Sequence, residues 1–215
     1  MNSFNDNRFC CYNINIDGDE LAKIKQQLLE LATFTAADPS LELPSDGSSR
    51  CNIYPLNDLK EGSPNVWSFI NQFDGLVLPI IRVCNLRPKK EFLPHIDANV
   101  HSLFMNTPTG HIMPATINIV ATPNSTSKTK WYRQTKNNPF LNPWASYIGV
   151  TPDLKQIDEM VVSDNAVLFR TGQWHSVENI SETDSRVVAS IFFNYTLAWD
   201  NVVSILSDQG ILLPR

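Results

Sequence analysis

Between Leu76 and Tyr195 the chain is a succession of short apolar and β-branched runs, cut at intervals by Pro, Asn, Ser, Gly and Asp. That rhythm leaves no room for long helices and predicts strands. The runs are Leu76 to Leu86, Phe92 to His95, Thr116 to Thr122, Lys128 to Arg133, Met160 to Val162, Ala166 to Arg170, Trp174 to Asn179 and Val187 to Tyr195. Thr116 to Thr122 alternates with period two. Lys128 to Arg133 follows it across Pro123-Asn124-Ser125-Thr126-Ser127, so the two are expected to pair as a hairpin. The Pro- and Asn-rich stretch 137–152 reads as irregular, and 36–52, rich in Pro, Ser, Asp and Gly, as loop.

Helical spacing occurs only toward the ends. Asp17 to Ala32 carries Leu21, Ile24, Leu28 and Leu31 on one face, with Asp17 or Asp19 as the cap. Pro64 to Phe73 places Trp67, Ile70 and Phe73 together. Ala198 to Leu206 does the same with Trp199, Val202, Val203 and Leu206. About eight strands flanked by helices indicate a mainly β fold. The version that fits is a double-stranded β-helix, a jelly-roll or cupin-like barrel whose mouth can hold a metal and a small molecule. The 215 residues read as one domain, with a helical and loop buttress at 1–75, the barrel at 76–196 and a helix and tail at 197–215. The tail, Ile211-Leu212-Leu213, is expected to cap the barrel.

Composition narrows the function classes. A hydrophobic fraction of 42% suffices for a full core, and the net charge of −5 is mixed along the chain. No Lys/Arg stripe is present. Lys128-Thr129-Lys130-Trp131-Tyr132-Arg133 is better read as an amphipathic strand than as a nucleic-acid footprint, so no nucleic-acid partner is expected. No apolar run is long enough for a bilayer, and Met1 to Arg8 lacks the basic-then-apolar order of a signal peptide. A cytoplasmic protein without a membrane partner is the expectation. Cys10, Cys11, Cys51 and Cys84 form no Cys-x-x-Cys pattern and are expected to be free thiols.

Five residues in two clusters carry the chemistry. His95-Ile96-Asp97 puts an imidazole and a carboxylate two apart, on one face of an extended chain. Together with the distal His175 they make a 2-His-1-carboxylate set, which suits Fe(II) with open coordination positions. Arg186 follows His175 by eleven residues across a polar, turn-like stretch. If the two strands pair about the 180/181 peptide, His175 and Arg186 fall opposite each other, roughly 5 Å apart at Cβ. Arg186 then meets the far carboxylate of a dicarboxylate co-substrate, such as 2-oxoglutarate, that chelates the metal with its other end. Ser190 shares the strand parity of Arg186 and offers a hydroxyl to the same carboxylate. His101 and His111 read as surface or substrate-side residues.

Each piece alone has an ordinary reading: surface polar residues, a core histidine, an exposed ion pair. A structural jelly roll, or a non-enzymatic cupin-like binding module, has no need for all of them to converge. Arg186 is the discriminator.

Three stretches resemble a known family. They are Leu93-Pro94-His95-Ile96-Asp97, then Ala115 to Val120 with Lys130-Trp131-Tyr132, then Asp164 to Arg170 continuing through Trp174 to Asn179 and Arg186 to Phe193. They are similar to the double-stranded β-helix Fe(II)/2-oxoglutarate oxygenases, particularly small aspartyl/asparaginyl β-hydroxylase-like and phage or marine bacterial members. The resemblance implies metal ligands at His95, Asp97 and His175, and 2-oxoglutarate at Arg186, with Asn118 and Tyr132 lining the pocket. It further implies O2-dependent hydroxylation of an unactivated C–H on an amino-acid, peptide or protein side chain, or on a small molecule, with release of succinate and CO2. Aspartyl β-hydroxylases of the secretory pathway lack the metal-binding carboxylate, whereas Asp97 is present here.

Overall fold

The structure is a computed structural model that describes residues 9–33, 49–97, 112–122, 127–135, 153–162 and 165–213. Eleven strands and four helices fall in these segments. The strands are β1 (Cys11–Ile14), β2 (Ser49–Pro55), β3 (Val77–Leu86), β4 (Glu91–His95), β5 (Thr116–Val120), β6 (Ser127–Gln134), β7 (Leu154–Val162), β8 (Ala166–Phe169), β9 (Trp174–Asn179), β10 (Arg186–Phe193) and β11 (Leu212–Leu213). The helices are α1 (Gly18–Thr33), α2 (Leu56–Gly62), α3 (Pro64–Asn71) and α4 (Trp199–Asp208).

All strand pairings are antiparallel, and they make two sheets. The larger runs β11-β1-β8-β5-β10-β3-β2 and the smaller β4-β9-β6-β7. This is the expected double-stranded β-helix, with helices on the outer face of the large sheet. β10 shows why that sheet is two-sided. All eight of its residues are buried. Val187, Ala189, Ile191 and Phe193 join the main core with Ile81, Val83, Ile117 and Ile119, together with Leu21, Ile24 and Leu28 of α1 and Val202, Val203 and Leu206 of α4. The other parity, Arg186, Val188 and Ser190, lines a cavity between the sheets.

The first and last helices form as their spacing predicts, whereas α3 buries Val66, Phe69 and Ile70 and leaves Trp67 half-buried. Asp17 caps α1, its Oδ1 accepting the backbone N–H groups of Asp19 and Glu20 at 2.9 and 3.1 Å. In α4, Trp199, Val202, Val203 and Leu206 are the buried face, each large apolar side chain contributing roughly 1.5–3 kcal/mol.

Four expectations are corrected. First, β5 and β6 are not a hairpin: β5 lies between β8 and β10 in the large sheet, β6 between β9 and β7 in the small one. The turn residues after β5 carry the chain across the sandwich, which a local turn signal cannot distinguish from a return into the same sheet. Second, the stretch read as loop through residue 52 already contains the start of β2, whose partner β3 organises it. Third, the tail is not simply a cap. Leu212 and Leu213 extend the large sheet, pairing with Ile14 and Asn13. Fourth, the cysteines are not all free. Cys51 and Cys84 are register partners in the β2–β3 pair and form a disulfide. Only Cys10 and Cys11 remain as thiols, both buried. A sequence separation of 33 residues hides that pairing until the strand register is known. Among the described residues, no helix is long and apolar enough to cross a membrane.

Candidate metal and co-substrate site

His95 and His175 are register partners across β4 and β9, so both imidazoles project from one face of the small sheet. Their ring centroids lie 4.4 Å apart. On the other side of β9, His175 pairs with Trp131 of β6, which is fully buried and donates its indole N–H to the Arg170 carbonyl at 3.2 Å. That indole packs edge-on against Phe169, 5.2 Å between ring centroids, in the core between the sheets. Asp97 lies just beyond the end of β4. Its backbone N–H donates to the Thr171 carbonyl at 3.1 Å, and its carbonyl accepts the Met113 N–H at 2.9 Å. The chain is therefore clamped where its side chain turns inward. Gly172 makes the clamp possible. A Cβ there would stand 3.1 Å from the Met113 carbonyl oxygen and 3.2 Å from Ile112 Cγ2, tighter than ordinary contact.

The candidate ligand atoms of His95, Asp97 and His175 all lie within 4.8 Å of one another, and all three residues are buried. Asp97 Oδ1 is 3.7 Å from His95 Nε2, and Asp97 Oδ2 is 3.7 Å from Arg82 Nη2. His175 Nδ1 is 2.9 Å from the Gln173 carbonyl. A carbonyl can only accept, so Nδ1 carries the proton and the Nε2 lone pair is left for a cation. Burial pushes the Asp97 carboxyl upward. The Arg82 guanidinium, then His175 and His95, more than offset this and hold it below its ordinary value. Two imidazoles and one ionised carboxylate converging in a buried space fit a divalent transition metal.

The opposite wall comes from the large sheet. Asn118 of β5, Ser190 of β10 and Arg82 of β3 form one register row. Val120, Val188, Cys84 and Cys51 form the next, and Arg186 lies a further row along, opposite Leu86. With Phe92 and Val177, these two walls enclose a cavity of about 590 Å³, counting its open mouth. Arg186 is 2% exposed. Its Nε and Nη2, and Oδ1 of Asn118, are buried without a hydrogen-bond partner among the described residues. Burial also pushes the Arg186 pKa down to about 10. A buried guanidinium without a counter-ion among the described residues is costly to keep, and its fork suits a carboxylate.

His95, Asp97, His175, Arg186, Ser190 and Asn118 thus meet in one cavity. The route to that meeting differs from expectation. β9 and β10 do not pair; they belong to different sheets, and His175 faces Arg186 across the sandwich. The turn between them is a corner, tied by buried Asn179, whose Nδ2 reaches the carbonyls of Leu86, Arg87 and Asp184 at 3.1, 3.2 and 2.8 Å. Tyr132 does not line the cavity. Its hydroxyl bonds the Ser176 hydroxyl at 3.0 Å, on the face of the small sheet away from His175. Its neighbour Trp131 takes the inward parity instead. His101, His111 and the stretch 137–152 lie outside the described residues. Sequence reasoning missed Arg82 and the disulfide. Arg82 shares the parity of Cys84 and Leu86, so a period-two reading of β3 anchored on its buried face would have found it.

No family model and no curated protein matches the chain. Several solved structures are similar in fold. The epimerase SnoN from nogalamycin biosynthesis, in complex with Fe3+, alpha ketoglutarate and nogalamycin RO, superposes with a TM-score of 0.51 at 13% identity, covering 86% of this chain and 79% of that one. A prolyl hydroxylase from Trichoplax adhaerens, in complex with a hypoxia inducible factor peptide fragment, gives 0.49 at 15%, covering 94% and 89%. HygX from Streptomyces hygroscopicus, with nickel, 2-oxoglutarate and hygromycin B bound, gives 0.48 at 14%, covering 86% and 81%. At such identities the likeness concerns the fold.

Proposed function

We propose that this chain is an Fe(II)- and 2-oxoglutarate-dependent dioxygenase that hydroxylates an unactivated C–H bond on an amino-acid, peptide or protein side chain. One observation carries the reading. His95, Asp97 and His175 present their ligating atoms within 4.8 Å of one another, in the same cavity where Arg186 keeps two buried nitrogens without a partner. A metal-only cupin needs no such arginine. A structural jelly roll needs neither feature. The fold shared with SnoN, whose structure holds Fe3+ and alpha ketoglutarate, is consistent with it.

When bound, iron(II), 2-oxoglutarate and O2 together supply the oxidant, with succinate and CO2 as co-products. The protein's own groups do the rest. His95, Asp97 and His175 would hold the metal. The Gln173 carbonyl fixes the His175 tautomer. Arg186 and Ser190 receive the far carboxylate of the co-substrate. Asn118 reaches the same space, and turning its amide by half a rotation offers Nδ2 as a further donor. Val177, Val188, Phe92 and Trp131 keep the site apolar around these groups and limit water.

The test is an anaerobic titration with Fe(II), with and without 2-oxoglutarate, followed by visible absorbance. A weak metal-to-ligand charge-transfer band that needs both additions, and disappears in His175→Ala, supports the proposal. A well-folded protein without the band points instead to a cupin-like binding module.

A further inference from the structure

The cavity holds a second guanidinium that the reaction chemistry leaves unused. Arg82 lies on β3, on the cavity face, in the row of Ser190 and Asn118. Its Nη2 is 3.7 Å from Asp97 Oδ2, an ion pair longer than a hydrogen bond. Its guanidinium stacks over the Phe192 ring at 4.8 Å. Its Nε is buried without a hydrogen-bond partner among the described residues. Unlike Arg186, the side chain is 22% exposed, so it stands toward the mouth. Beside it runs an apolar patch: Leu78, Met113 and Phe192 buried, with half-buried Ile53, Ile80 and Tyr195 packed on them.

Charge decides what this pair of arginines needs. The described lining carries two guanidinium cations, Arg82 and Arg186, against one carboxylate, Asp97. A divalent metal and a dicarboxylate co-substrate cancel, so loading the site leaves one positive charge in excess. On the paired strands, uncharged Ile53 and Ser190 flank Arg82. Arg186 and Arg82 are also offset by four residues in register, about 13 Å between their backbones along the strand, and the Arg82 guanidinium reaches Asp97.

We propose that Arg82 is a specificity-determining residue that binds a carboxylate of the primary substrate, whose apolar part lies against Leu78, Met113 and Phe192. The balance of one charge favours a singly charged carboxylate over a phosphate monoester. The planar guanidinium fork matches it, and the stack on Phe192 holds the fork in place. This rests on the dioxygenase reading above, since the excess charge is counted with metal and co-substrate in place.

The test uses the anaerobic Fe(II)·2-oxoglutarate protein and paired probes: N-acetyl-L-alanine and N-acetyl-L-leucine, each as free acid and as primary amide. Binding is read from the perturbation of the charge-transfer band and by calorimetry. We expect the acids to bind at least about tenfold more tightly than the amides, as a charge-assisted pair implies. Arg82→Met should abolish that preference, and Arg82→Lys should retain part of it. Arg82→Gln keeps a donor beside Asp97 without the charge. It guards against a variant that merely loses metal and should also lose the preference. Acids and amides that bind alike to the natural protein, including not at all, overturn the proposal. So does an Arg82→Gln protein in which 2-oxoglutarate itself weakens about tenfold while the acid preference stands, which would assign Arg82 to the co-substrate. Absence of the charge-transfer band in the natural protein would instead overturn the dioxygenase reading, a different failure.

Discussion

Arg186→Met should make the metal-free protein more stable and unable to bind 2-oxoglutarate. The side chain is buried, and two of its nitrogens lack hydrogen-bond partners among the described residues. Burial drives its pKa down to about 10, an unfavourable charge burial on the order of a few kcal/mol. Methionine fills a similar volume without charge. Allowing for imperfect repacking, the variant should gain about 1–3 kcal/mol. The sign with pH follows from the direction of the shift. Burial makes the folded state give up this proton at lower pH than the unfolded chain does. The cost is therefore full at neutral pH, shrinks as pH rises through 10, and the gap between variant and natural protein narrows with it. Urea unfolding in EDTA, followed by tryptophan fluorescence between pH 7 and 11, measures the gap; comparing two proteins cancels the other titrating groups. Adding Mn(II) and 2-oxoglutarate should close the gap or reverse the order. A co-substrate at a hundred times its Kd stabilises the natural protein by about 2.7 kcal/mol and the variant by nothing beyond the metal's share. A variant less stable by about 2 kcal/mol in EDTA at pH 7 would refute the reasoning, because Arg186 would then be paired within the chain and serve the fold.

His175→Ala should remain folded and lose the thermal stabilisation by Mn(II) that the natural protein shows, about 2.7 kcal/mol at a hundred times Kd, measured by calorimetry. Thiol titration of the denatured, unreduced protein should count two free thiols, Cys10 and Cys11, and a count of four would deny the Cys51–Cys84 bridge. Reducing that bridge should lower the unfolding free energy by up to about 4 kcal/mol for the loop it closes, seen as a shift of the urea midpoint under reductant. Asn179→Ala strips three carbonyls of their shared donor at the corner between the sheets and should cost about 2–4 kcal/mol, with unchanged stability as the contrary result.

The elements were legible in the sequence where local periodicity sets them, and the partnerships were not. β9 spans the predicted residues, and the buried face of α4 is the predicted set, because spacing alone decides which side of an element is apolar. The links from β5 to β6 and from β9 to β10 look like hairpin loops, rich in Asn, Ser, Thr and Asp. Such residues reverse the chain whether it returns to the same sheet or crosses to the facing one. The distinction lies in burial. β5 and β10 are buried on both faces, whereas β6 alternates along most of its length, as a strand with one open face does. The singled-out residues, Tyr132 apart, still meet in one cavity, because parity survives the error: Arg186 and Ser190 share a face whichever strand lies beside them. Tyr132 failed on the same parity, since Trp131 takes the inward position and a register shift separates the two where β6 meets β7.

His95 and His175 stand on the small sheet with Asp97 at its edge, while Arg186, Ser190 and Asn118 stand on the large one. A metal by itself braces one half of the sandwich. A diacid that chelates it and reaches Arg186 is a rivet through both halves. Its arrival should damp the breathing of one sheet against the other, most visibly as slower amide exchange in β9 and β10 together, so that the co-substrate is also the part that stiffens the barrel before the second substrate comes to rest in it.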